Sequence, residues 1–147
     1  MQKIRTLSEI ILSAETEIKV RFSEVDSLRI VWHGNYFKYF EEAREAFGKK
    51  YDISYLDYLN NKILAPVVHV DCDYKLPLVY GDEAIVKATY QDTEAAKIII
   101  NFQIFRKSDY KIIATGQSIQ VFLNHKRELM LTLPHFVSDW KKKWGLL

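Results

Sequence analysis

From residue 65 onward, apolar residues recur at every second position in four successive segments. The clearest is "AKIIINFQIFRK" (96–107), where Ile98, Ile100, Phe102 and Ile104 alternate strictly. Before it come "APVVHVDCDYKLPLV", with Val68, Val70, Cys72 and Tyr74 on one face, and "EAIVKATY" after the turn signal Tyr80-Gly81-Asp82. "IIATGQSIQVFLN" follows the hairpin-like "KSDYK". A period of two marks strands with one buried face, and Pro77 disturbs the first of them near its end. Short turns between successive strands dictate antiparallel pairing, because parallel neighbours need long crossovers.

One stretch has a different period. From His33 or Asn35 to about Lys50, the residues Tyr36, Phe37, Phe40, Ala43 and Phe47 fall at helical spacing, with Arg44, Glu45 and Lys49 toward the other side. Ahead of it, Ile18, Val20 and Phe22 alternate with polar neighbours and predict a first strand. Pro134 is placed to open a C-terminal helix in which Trp140 and Trp144 lie one turn apart. The expected class is therefore α+β: an antiparallel sheet of about five strands wrapped around one long helix, with a short C-terminal helix, which is the hotdog architecture. Five strands around one helix leave an edge open, and apolar edge residues predict pairing with a second copy as a homodimer or homotetramer. Residues 1–14 read as an N-terminal extension and 15–147 as a single domain, since no repeat or Gly/Ser/Pro-rich linker interrupts them.

Charge and cysteine content narrow the function. Lysine and arginine total 21 against 19 aspartates and glutamates, too even a balance to predict a nucleic-acid partner. Cys72 is the single cysteine, so no internal disulfide can form, and no Cys/His pairs have zinc spacing. His69, His125 and His135 are too dispersed to suggest a metal site. No segment approaches the roughly 20 apolar residues of a membrane span, and the start of the chain lacks the apolar core of a signal peptide. A cytoplasmic protein without metal or redox cofactor is expected.

The chemistry concentrates in "VRFSEVDSLRIVWHGNYFKYFEEAR" (20–44), where the first strand gives way to the long helix. Its elements are Arg21-Phe22, Glu24-Val25-Asp26, Ile30-Val31, His33, Asn35-Tyr36 and Phe40-Glu41-Glu42-Ala43-Arg44. In this order they resemble the signature of hotdog acyl-CoA thioesterases of the 4-hydroxybenzoyl-CoA thioesterase type, which includes the thioesterase of the bacterial Tol–Pal cluster. The later "PLVYGDE" and "ATGQSIQVFLN" are similar to that family's turn before its third strand and to its final strand. The likeness covers roughly residues 17–140.

The resemblance implies hydrolysis of a coenzyme A thioester. Asp26 would attack the thioester carbonyl or activate water to do so. Unpaired amides at the helix start, at His33 and with it Gly34, would receive the oxygen that gains charge. Gly34, Asn35 and Tyr36 are the expected substrate-binding residues. The His33 imidazole could bond substrate or water, assist the leaving thiolate, or shape the pocket; the last is preferred, since the backbone role needs no imidazole. Taken singly, Asp26 reads as a turn residue and His33 as a satisfied polar group at a helix end. Glu41 is the runner-up acid, because another hotdog group carries its glutamate on the central helix, although Arg44 is an obvious ion-pair partner. Tyr36 and Phe37 could line an acyl pocket or fill the core. The family usually has glycine where this chain has Arg29, which bears on the loop's backbone and on substrate preference. Candidate phosphate ligands are Arg106, Lys107, Lys126 and Arg127. The rival readings are a non-catalytic acyl-binding or protein-interaction module and an acyl-carrier-protein thioesterase. A hotdog dehydratase is disfavoured by the acid-x-Asp step before the helix.

Overall fold

The computed structural model describes residues 10–147, so most of the extension expected over 1–14 lies outside the described residues. Five strands form one antiparallel sheet: β1 (Ser13–Lys19), β2 (Val67–Tyr74), β3 (Glu83–Gln91), β4 (Lys97–Arg106) and β5 (Ile112–Val121), in the order β1-β3-β4-β5-β2. The helix α1 (Asn35–Lys50) lies across the sheet, and α3 (His135–Lys143) closes one end. The expected fold class is found.

The even-numbered residues of β4 and β3 face the helix. Ile98, Ile100, Phe102 and Ile104 are buried, as are Ala84, Val86, Ala88 and Tyr90. From α1 the buried hydrophobic side chains are Tyr36, Tyr39, Phe40, Ala43 and Phe47, while Phe37 lies at the exposed margin. Phe40 stacks on Phe102 with centroids 4.5 Å apart. Gly116 of β5 makes this closeness possible: a Cβ there would collide with the Phe40 ring at 2.6 Å and with the Asp71 carbonyl of β2. Trp140 and Trp144 both donate their indole N–H to the Tyr51 carbonyl, at 2.7 and 3.0 Å, and so seat α3 against the end of α1.

The face of β2 read from Val68, Val70, Cys72 and Tyr74 is not buried, because β2 lies at the sheet edge and only Cys72 is partly covered. Two further local expectations need correction. The first strand ends at Lys19 and does not reach Phe22. Val20 still bonds across to Asp82, but the Glu24 carboxylate accepts the Arg21 N–H at 2.8 Å and pulls 22–24 into a turn of 3-10 helix. Phe22 is thereby turned outward and is 76% exposed. The second correction is a short helix, α2 (Tyr55–Asn60), between α1 and β2. Ser54 caps it, and Ser54 and Asp57 exchange bonds in a capping box.

Candidate active site

The strand-to-helix junction is a small hairpin. Val25 bridges Val31, Asp26 N–H donates to the Ile30 carbonyl at 2.9 Å, and Trp32 N–H donates to the Glu24 carbonyl at 2.9 Å. Glu24 fastens this hairpin to α1 through both ends of the residue. Its carbonyl also accepts from Asn35 Nδ2 at 2.9 Å, and its carboxylate accepts the Tyr39 hydroxyl at 3.0 Å. Burial pushes the Tyr39 pKa well up, and the bond to Glu24 pushes it further, so the phenol remains a donor.

Asp26 stands in this hairpin, half-buried. Its Oδ1 accepts the Leu28 N–H at 2.8 Å, and Oδ2 has no hydrogen-bond partner among the described residues. One oxygen therefore fixes the carboxylate and the other is open to a ligand. Arg29, in the same turn, has φ +68°, the left-handed conformation that glycine adopts at no steric cost.

His33 and Gly34 precede the first helical residue. No side chain caps the helix and no acidic residue occupies its first turn, so the partial positive charge of its start is left uncompensated. Asn35 N–H bonds to the Trp32 carbonyl, whereas the amides of His33 and Gly34 have no acceptor among the described residues. The Tyr74 hydroxyl of β2 donates to the His33 carbonyl at 2.8 Å and anchors the helix start to the edge strand. The Trp32 ring covers Gly34 so closely that a Cβ there would overlap it. The His33 ring lies outside this anchor, beside Trp32 and Tyr74.

Asn35 and Tyr36 are buried. The Asn35 amide is spent on Glu24, and Tyr36 packs edge-on against Tyr74 at 4.9 Å. Glu41 is exposed and ion-paired to Arg44, whose other terminal nitrogen donates to Ser118 Oγ at 2.7 Å. Glu41 borders a groove of about 940 Å³ between the C-terminal half of α1, α2 and the sheet. A second, more polar cavity of about 680 Å³ lies against the 3-10 turn and the first turns of α1. Neither cavity is lined by Asp26 or His33. Of the expected phosphate ligands, Lys107 is paired with Glu17 at 2.9 Å, and Arg106 with Asp109 at 2.9 Å.

Sequence reasoning missed the parts that hold the site together: the Glu24 hub, Tyr39 and Tyr74. Tyr39 could have been found, since it stands four residues after Asn35 on the same helical face. Tyr74 is 41 positions from the carbonyl it binds and carries no local signal.

Residues 20–141 match the thioesterase-like superfamily, and the chain belongs to it. It is thus a thioester hydrolase of the hotdog class. Among curated relatives, the candidate acyl-CoA thioesterase YneP of Bacillus subtilis is 34% identical over 109 residues, covering 74% of this chain and 79% of that protein. An acyl-acyl carrier protein thioesterase, ATL3 of Arabidopsis thaliana, is 28% identical over 112 residues, 76% of this chain and 59% of that one. Among solved structures, a DHNA-CoA thioesterase from Staphylococcus aureus superposes with a TM-score of 0.80 at 25% identity, covering 90% of this chain and 89% of that one.

Proposed function

We propose that the protein hydrolyses acyl-coenzyme A thioesters with Asp26 as nucleophile or general base and the His33 and Gly34 amides as the oxyanion site. The observation that carries this reading is the junction itself. A carboxylate with one oxygen free is tied through Glu24 to a helix start whose leading amides are unpaired, both among the described residues. As oxygen adds to the thioester carbonyl, negative charge moves onto the carbonyl oxygen, and amides aimed at it lower the barrier. One such donor is worth about 2.7–4 kcal/mol. The C–S bond then breaks, the thiolate takes a proton, and one water is consumed in giving free acid and coenzyme A. This is the division of labour of the 4-hydroxybenzoyl-CoA thioesterase type. The acyl-CoA class is favoured by the names of YneP and of the S. aureus enzyme.

The working form is a homodimer or homotetramer. β2 ends the sheet, its outer edge has no partner among the described residues, and Val67, Val68 and Val70 are exposed along it. Next to that edge, Tyr74 and Trp32 are also half-exposed, so a second copy pairing there would wall the helix start from water. The lone cysteine accords with a cytoplasmic location.

A thiol-release assay over a graded panel of aromatic, short-chain and long-chain acyl-CoA thioesters, with an acyl-carrier-protein thioester alongside, tests the reading. Free coenzyme A should appear with at least one CoA thioester. Turnover of the carrier-protein thioester alone would favour the second reading, for which the likeness to ATL3 is the supporting observation. No turnover with any member would leave a non-catalytic module.

A further inference from the structure

We propose that the cavity between the 3-10 turn, the Tyr80 turn and the first turns of α1 holds the nucleotide end of coenzyme A, with Phe22 and Tyr80 gripping the adenine and Lys19, Arg21 and Lys38 facing its phosphates. This rests on the acyl-CoA reading above and names the part of the substrate that the site recognises.

The aromatic pair is the first ground. Phe22 and Tyr80 come from separate turns and meet edge to face, with centroids 5.8 Å apart and planes at 88°. They are 76% and 63% exposed, so they serve the core little while presenting free ring surface. Aromatic faces offered to solvent beside cations are what a purine with attached phosphates requires. Charge is the second ground. Lys19, Arg21 and Lys38 all line the cavity, and none makes an ion pair among the described residues. Three carboxylates share the lining, but Glu17 is taken by Lys107 and Glu24 is held by the Arg21 amide and Tyr39, which leaves Glu42 as the unengaged one.

Position is the third ground. Glu24 and Asn35 line the same cavity, and each stands two residues from a reacting group, Asp26 and His33 respectively. A nucleotide seated there leaves the pantetheine arm to run along the base of the hairpin to the helix start. The expected phosphate ligands Arg106 and Lys107 do not line this cavity. A carrier protein offers the same arm without adenine, so this subsite would select coenzyme A esters over carrier-protein esters.

The test compares kcat/KM for an acyl-CoA with that for the matching acyl-pantetheine thioester, in wild type, in the double variant F22A/Y80A, and in Lys38→Ala. Binding of adenosine 3′,5′-bisphosphate is measured by calorimetry on the same proteins. The aromatic and lysine side chains replaced are on the surface, so the fold should persist, and sedimentation checks the oligomeric state. The CoA-to-pantetheine ratio should fall about ten-fold or more in the double variant, chiefly through KM, and bisphosphate binding should be lost with it. A ratio equal to that of wild type, or an equal fall on both substrates accompanied by a change of oligomeric state, would overturn the assignment. Should wild type cleave neither thioester, the hydrolase reading fails by itself. Binding of the bisphosphate, and its loss in the variants, then still decides the subsite: no binding by wild type overturns it.

Discussion

The two oxygens of Asp26 differ: Oδ1 closes the turn onto Leu28, and Oδ2 has no hydrogen-bond partner among the described residues, which is where the proposed chemistry places the reacting atom. Arg29 reports on the same turn. Its φ of +68° strains an ordinary side chain and suits glycine, so Arg29→Gly should leave the melting temperature unchanged or raise it. Arg29→Val puts a branched Cβ in a conformation it rarely adopts and should lower stability by about 1–2 kcal/mol, read by urea unfolding. Gly34 is a different case. Its φ of −69° and ψ of −19° suit any residue, so Gly34→Ala adds only a collision with the Trp32 ring. That ring should swing away, shifting tryptophan emission and lowering thiol release while stability stays nearly constant. Position 26 was singled out because an acid, a helix start and the residues between them recur together in a known signature, and its role in catalysis is part of the proposal. The Glu24 hub was not legible, because half of it is a backbone carbonyl, which every residue type possesses.

Among the elements, the sheet was the most readable part, since alternation survives wherever one face is buried, as in β3 and β4. The end of β1 was not readable, because Phe22 continues the alternation while a side-chain bond from Glu24 bends the backbone out of it. The helix α2 was announced by Ser54 and Asp57 at capping-box spacing, a signal lying outside the periodic segments. Two packing joints carry predictions. At Gly116, replacement by alanine forces β5 and Phe40 apart and should cost about 1–3 kcal/mol, measured as a lower urea midpoint at unchanged m-value. At α3, Trp140→Phe and Trp144→Phe each remove one of two bonds to the Tyr51 carbonyl. Either alone should cost about 1 kcal/mol, and together more than their sum, because only the pair leaves that carbonyl without a partner.

At the scale of the whole molecule, stability against pH follows from groups held neutral in the folded chain. Burial raises the Cys72 pKa to about 11, and burial with the neighbouring Cys72 raises that of Tyr74 to about 12. Both groups are neutral when protonated and ionise more readily unfolded, so their contribution is complete below pH 9, the ordinary thiol value, and is lost as pH rises through 11 to 12. Urea midpoints should therefore fall over that alkaline window, and less steeply in Cys72→Ala. The outer edge of β2, without a partner among the described residues, carries the other global prediction. Val68→Lys places a charge where a second copy is expected, and should give a monomer by sedimentation together with a loss of thiol release. That the edge was open could be read from strand count and apolar spacing, whereas the anchoring of the helix start by Tyr74 of that same strand needed the folded chain. The most direct measurement remains thiol release by Asp26→Asn on a CoA thioester that wild type cleaves. Asparagine keeps the Oδ1 acceptor for Leu28, so the hairpin and the unfolding midpoint should be preserved while the rate falls by about a hundred-fold or more. An Asp26→Asn variant that turns over as fast as wild type would contradict the account.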